Sequence, residues 1–149
     1  MSVKTIAGDL LQETAGVIVH GCNAQGVMNA GIAKKIRYKH PRVYNDYLQA
    51  HQTTGLKLGQ IITTQVDESL YVISGITQYH YGRDTSVNYV NYDAISEVFS
   101  QVKRVATRTC LPVKFPAIGA GLGGGHWLTI QSIIEARLCP GVEAILFVY

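Results

Sequence analysis

Two glycine-rich segments of this 149-residue chain, residues 26–31 (GVMNAG) and 119–125 (GAGLGGG), each follow a run that reads as a buried strand, and each leads into a helical pattern. A strand that enters a helix this way leaves the unpaired N–H groups of the helix start pointing past its carboxyl end. Two such crossings in one chain constrain it to a sheet packed against helices, with both glycine segments directed to one sheet edge. Glycine admits positive φ and lets the backbone approach an oxygen closely, and the helix dipole favours negative charge. The edge is therefore expected to hold a phosphate-bearing, nucleotide-like small molecule. Neither segment is a Walker A loop, because no Gly-Lys-Ser/Thr follows. Gly119, Gly121 and Gly124 fit GxGxxG, but late in the chain and without an acidic residue at the next strand end. Simple tight turns are the competing expectation.

The rest of the chain supplies the layers. Residues 3–6 and 16–20 (GVIVH) read as strands, and 30–37 as a helix with Ile32, Ala33 and Ile36 on one face. Pro41 suits the first turn of a helix over 41–51, where Val43, Tyr47 and Leu48 fall at helical spacing. Two β-rich runs, 60–65 and 70–76, flank Asp67, Glu68 and Ser69 and predict a hairpin. Residues 91–108 carry the longest amphipathic pattern, with Ile95, Val98, Phe99, Val102 and Val105 opposite Glu97, Lys103 and Arg104. A strand over 111–115, a helix over 127–138 and a strand over 143–149 complete the alternation. It predicts one α/β domain over residues 1–149, a three-layer α/β/α sandwich with a mixed central sheet.

Composition agrees: 47% apolar and 15% charged residues suit a sheet covered on both faces. The net charge of +3 is spread over Lys34, Lys35, Arg37, Lys39, Arg42, Lys103, Arg104 and Arg108. With no interleaved aromatics, these predict solvated helix faces and not a nucleic-acid surface. Cys22, Cys110 and Cys139 are odd in number and form no CxxC or His/Cys cluster, so neither a metal nor a cofactor is expected, and a reducing compartment is. No apolar run approaches about 18 residues, and the first residues lack a signal-peptide pattern. The expectation is a cytoplasmic protein without a membrane partner.

The ordered motifs GDLL at 8–11, HGCNAQGVMNAGIAKKI at 20–36, ITQYHYGRD at 76–84 and PAIGAGLGGGHW at 116–127 resemble the macrodomain family. The resemblance is strongest to small phage and bacterial members akin to ADP-ribose 1''-phosphate phosphatases. It implies an ADP-ribose ligand, with Asp9 accepting from the adenine amino group beside the Leu10 backbone; a carboxylate suits that donor. Asn23 would hydrogen-bond the distal ribose. Gly26, Val27, Met28, Asn29, Ala30 and Gly31, with Ile32 behind them, would wrap that sugar and its phosphate. Asn29 stands where the family commonly has glycine, which implies a narrower pocket, although asparagine tolerates left-handed backbone angles. Ile118, Gly119, Ala120, Gly121, Gly123, Gly124 and Gly125 would cradle the diphosphate, with Leu122 as an apolar lid. Gln78, Tyr79 and Tyr81 are candidates for stacking or hydrogen bonding at the pocket wall.

The resemblance also suggests catalytic residues, each with a structural alternative. His20 could orient water or protonate a leaving sugar oxygen beside Asn23, or be a satisfied strand-end histidine. Asp84 could activate water or close a turn. His126 occupies a position where this branch often carries an acid, and it could equally cap a helix. The lysine and aspartate of one glycohydrolase branch fall at Gln78 and Gly123, so a covalent lysine adduct cannot form by that route. The implied activity is metal-independent hydrolysis of ADP-ribose 1''-phosphate to ADP-ribose and phosphate. A non-catalytic reader of ADP-ribose, with an ADP-ribosylated protein as partner, and an O-acyl-ADP-ribose or ADP-ribosyl ester hydrolase stay open.

Overall fold

The β-branched runs become strands β1 (Lys4–Ala7), β2 (Gly16–Asn23), β3 (Ile61–Asp67), β4 (Leu70–Gln78), β5 (Val113–Phe115) and β6 (Ala144–Val148). The structure is a computed structural model that describes residues 3–84, 86–121 and 123–149. Among these residues the strands form one sheet in the order β1-β6-β5-β2-β4-β3. Every neighbouring pair is parallel except the β3–β4 hairpin, so the sheet is mixed, as the two runs around Asp67 to Ser69 predict. Parallel neighbours require crossovers. These pass through α1 (Gly31–Lys39), α2 (Pro41–Thr53), α3 (Tyr92–Thr109) and α4 (Trp127–Leu138).

Period-two alternation divides the sheet residues between two helical layers. Val17, Val19, Ile73 and Phe115 pack with Ile95, Phe99, Ile130 and Ile134 of α3 and α4. Ile18 and Val72, on the other face, pack with Ile36 of α1 and Val43 of α2. The result is the expected α/β/α sandwich. Phe99 and Phe115 meet edge-on at 5.8 Å. Gly75 sits where α3 presses on β4, and a Cβ added there would lie 2.6 Å from Val98 Cγ1. Gly75→Ala is therefore expected to destabilise the fold by about 1–3 kcal/mol through overpacking, read as a lower urea midpoint.

Element ends depart from the sequence pattern where tertiary contacts decide them. β2 continues past His20 to Asn23, and β4 past Ile76 to Gln78. Gly21 permits this extension, since a Cβ there would stand 2.7 Å from Thr77 Oγ1 on the neighbouring strand. The register then slips: Cys22 faces Ile76 while Asn23 faces Gln78, which leaves Thr77 unmatched in a bulge. Asn91, read as the first residue of a helix, is instead the N-cap of α3, its side chain accepting from Ala94 N at 2.9 Å. A 3₁₀ turn over Leu10–Gln12 that the sequence pattern does not signal follows β1.

The carboxyl ends of β1, β6, β5, β2 and β4 share one edge of the sheet. Both glycine segments leave from that edge.

Candidate functional site

A cleft of about 540 Å³ opens at this edge, walled by the exits of β2, β4 and β5. On the β2 side the wall is a loop tied by one side chain. Asn23 Nδ2 donates to Val27 O at 2.8 Å, and Asn23 Oδ1 accepts from Gln25 N at 2.9 Å. The buried Tyr47 hydroxyl donates to Asn23 O at 2.6 Å and accepts from Val27 N at 3.2 Å. One Asn23 amide proton is left for a ligand. Asn23, Val27, Asn29, Ala30, Gly31 and Ile32 line the cleft as expected. Gly26 and Met28 do not: Gly26 turns the loop at φ +79° against His51, and Met28 is buried beneath it with Cys22 and Ile76. Asn29 makes no use of a left-handed backbone; its Oδ1 accepts from Arg37 Nη1 at 2.8 Å.

On the β5 side Ile118, Gly119, Gly121 and Gly123 line the cleft, together with Pro116 and Ala117. Ala120, Gly124 and Gly125 lie behind and shape the turn. Gly125 N donates to Gly119 O at 2.7 Å, Gly124 N to Gly121 O at 3.1 Å, and Ala120 N to Ala117 O at 3.3 Å. The amides of Gly119, Gly121 and Gly123 donate to no acceptor among the described residues. Three free N–H groups on one glycine loop are the donor set a phosphate oxygen needs. Leu122, the expected lid, lies outside the described residues. Gly123 O accepts from both Tyr89 N at 2.7 Å and Val90 N at 3.0 Å, which fastens this loop to the segment after β4.

The end of β4 and that segment add residues the sequence reading passes over. Gln78 and Tyr81 line the cleft as expected, but so do Thr77, Gly82 and Arg83. Tyr79 is turned outward, edge-on to His80 at 4.8 Å, and does not line it. Tyr47 was legible only as a core position, although a buried phenol needs a hydrogen-bond partner and so pointed to one.

Three candidate catalytic side chains lie off the cleft. His20 is fully buried, its Nε2 2.9 Å from Ser74 Oγ and its Nδ1 3.6 Å from Cys22 Sγ. Burial lowers its pKa to about 4, which favours the neutral ring, and it does not line the cleft. Asp84 is exposed and closes a turn, its Oδ1 accepting from Ser86 Oγ at 2.7 Å and Ser86 N at 3.0 Å. Those bonds hold its carboxyl below the ordinary range and make it a weaker base. His126 precedes α4 without capping it by its side chain, and its Nδ1 lies 3.3 Å from Thr129 Oγ1. Cys22 does reach the cleft, but burial pushes its thiol up to about 12, far from a thiolate. Asp9 and Leu10 sit outside the cleft at the β1 exit, where Asp9 Oδ1 accepts from Leu11 N at 3.0 Å. Among the described residues, no group of three or more His, Cys, Asp or Glu comes together as a metal site. No described helix is long and apolar enough to cross a membrane.

The chain is 25% identical over 146 residues to a DNA ADP-ribosyl glycohydrolase of Mycobacterium tuberculosis, a match covering 95% of this chain and 40% of that protein. The chain thus spans well under half the length of that relative. It is 27% identical over 143 residues to an uncharacterized 17.5 kDa protein of Enterobacteria phage T4, covering 91% of this chain and 89% of that one. A 47-residue stretch is 43% identical to an ADP-ribose 1''-phosphate phosphatase of Aspergillus oryzae, over 31% of this chain and 23% of that one. Among solved structures, a Bacteroides thetaiotaomicron protein of unknown function matches with TM-score 0.89 at 26% identity, over 99% and 97% of the two chains. A Streptomyces coelicolor macrodomain protein matches in fold with TM-score 0.85 at 23% identity, over 99% of both chains. Thermosipho africanus DarTG in complex with ADP-ribose matches with TM-score 0.81 at 18% identity, over 98% of this chain and 41% of that one. The Macro domain family model matches residues 19–134, from within β2 to within α4, and the chain belongs to the macrodomain family.

Proposed function

We propose that the cleft binds ADP-ribose and that the protein hydrolyses a derivative of it, ADP-ribose 1''-phosphate first among the candidates. The observation that carries the binding reading is the set of free amides at Gly119, Gly121 and Gly123, a backbone cradle for a diphosphate beside the Asn23 loop. Asn23 offers its remaining amide proton to the distal ribose. Asp9, with one carboxylate oxygen outside the 3₁₀ turn bond, is the acceptor for the adenine amino group at the β1 exit.

Catalysis in this reading depends on position. Neither a carboxylate nor an imidazole lines the cleft among the described residues, so hydrolysis relies on a water held near Asn23 and on amides that stabilise the developing phosphate charge. A low turnover is expected. The A. oryzae phosphatase, similar over a short stretch, supports this substrate; the mycobacterial glycohydrolase supports ADP-ribosyl hydrolysis more broadly, but Gln78 replaces the lysine of the adduct-forming branch. A non-catalytic reader that docks an ADP-ribosylated protein is the second reading. It is favoured by one observation: His20, Asp84 and His126 all lie off the cleft.

Calorimetry with ADP-ribose, paired with phosphate release from ADP-ribose 1''-phosphate in metal-free buffer, separates the two. The expected result is binding together with release that Asn23→Ala abolishes. Binding without turnover of phosphorylated, acylated or protein-linked forms would leave the reader, and absence of binding would sink both.

A further inference from the structure

Arg83 is the one residue with a permanently charged side chain among the described residues that line the cleft, and it forms no ion pair or hydrogen bond there. Its sequence neighbour Asp84 forms no ion pair with it among the described residues; that carboxylate is turned to Ser86, whose Oγ and N donate to its Oδ1. The two ion pairs among the described residues, Lys4–Glu143 and Lys114–Glu13, do not involve it. The backbone on either side of Arg83 is held by its surroundings. Gly82 packs so tightly under Tyr89 that a Cβ there would collide with the phenol, and the Tyr89 hydroxyl accepts from Asp84 N at 3.3 Å. The Tyr89 amide in turn binds Gly123 O on the glycine loop. The segment carrying Arg83 is therefore braced against the loop that offers the free amides.

The sheet fixes what Arg83 stands beside. Along the common edge the exits run β1, β6, β5, β2, β4. In the proposed pose the adenine lies at β1, the diphosphate at β5 and the distal ribose at β2. The β4 exit is next in line, and Asn23 is paired with Gln78 at its start. What the distal ribose carries must point toward the Gln78 to Arg83 wall.

We propose that Arg83 is a specificity-determining residue, which selects ligands bearing a further dianionic group on the distal ribose over ligands with a free hydroxyl or a neutral ester there. This rests on the ADP-ribose reading and names its substrate class. A guanidinium offers paired N–H donors in the geometry of a phosphate, which neither a hydroxyl nor an acyl ester can use as fully. The diphosphate cradle does not need this cation, because its donors are backbone amides.

The test compares dissociation constants for ADP-ribose and ADP-ribose 1''-phosphate in the unaltered protein, Arg83→Gln and Arg83→Lys, each at low and high salt. The phosphorylated ligand is expected to bind about tenfold tighter to the unaltered protein, a preference that salt diminishes. Arg83→Gln should remove the preference while changing the ADP-ribose constant by less than about twofold, and Arg83→Lys should keep part of it. Arg83 is exposed, so both variants should fold, with unchanged circular dichroism as the check. An equal loss for both ligands, or no loss for either, would overturn the inference alone, as would an unaltered protein that binds ADP-ribose without favouring the phosphorylated form. Binding of neither ligand by the unaltered protein would overturn the ADP-ribose reading and this inference with it.

Discussion

Replacing Tyr47 with phenylalanine is expected to destabilise the protein by about 1–3 kcal/mol and, in the proposed pose, to weaken ADP-ribose binding by about tenfold. The phenol is buried and bonds to both ends of the Asn23 loop, donating to Asn23 O at 2.6 Å and accepting from Val27 N at 3.2 Å. Burial pushes its pKa well above the usual phenol range, so it remains a neutral donor at any working pH. Phenylalanine fills the same space, takes the phenol donor from the buried Asn23 carbonyl and leaves Val27 N only its 3.4 Å bond to Asn23 Oδ1, a loss of about 1–3 kcal/mol. In the proposed pose the loop they belong to carries the ribose contacts, so the loss should register in affinity as well. Urea unfolding gives the first quantity and calorimetry the second. An unchanged midpoint would mean that the loop does not depend on the phenol.

Acid should destabilise the protein through His20. In the unfolded chain the imidazole takes a proton near pH 6.5, whereas the buried ring takes one only near 4. Between those values the unfolded state binds more protons, so stability is fully present above pH 6.5 and is lost as pH falls toward 4. The span corresponds to a contribution on the order of 3 kcal/mol. Urea unfolding at half-unit pH intervals should show the loss, and His20→Gln, which has no proton to gain, should flatten most of it. His40 is also held low, by partial burial and by Lys39, so a residual slope in the variant belongs partly to it. A His20→Gln curve parallel to that of the unaltered protein would sink the assignment.

Most of the layer architecture was legible because periodicity reports which face is buried. Ile95, Val98, Phe99, Val102 and Val105 repeat at helical spacing, and all face the core on α3. The end of β2 was not legible, since Gly21-Cys22-Asn23 has the composition of a loop. Pairing with β4 and the close approach of Thr77 to Gly21 make it a strand. The site divides in the same way. The glycine loops act through backbone, whose needs glycine content announces. Arg83 and Thr77 reach the cleft through an irregular exit without period. Alternation along β2 sets His20 on the face of Ile18, inside the α1–α2 layer, as it does Cys22; what keeps His20 from the cleft is its complete burial short of the strand end.

The bulge at Thr77 separates two kinds of constraint on one strand. Upstream of it, each β4 residue answers to a fixed partner on β2 and to the helices packed on the sheet, so its side chain is set by volume. Downstream, the offset re-aims the chain, and Gln78, Tyr81 and Arg83 line the cleft instead of packing on a helix. Position 78 can thus exchange one polar group for another without repacking the interior. Such an arrangement lets the chemistry at the cleft wall vary while the core stays the same.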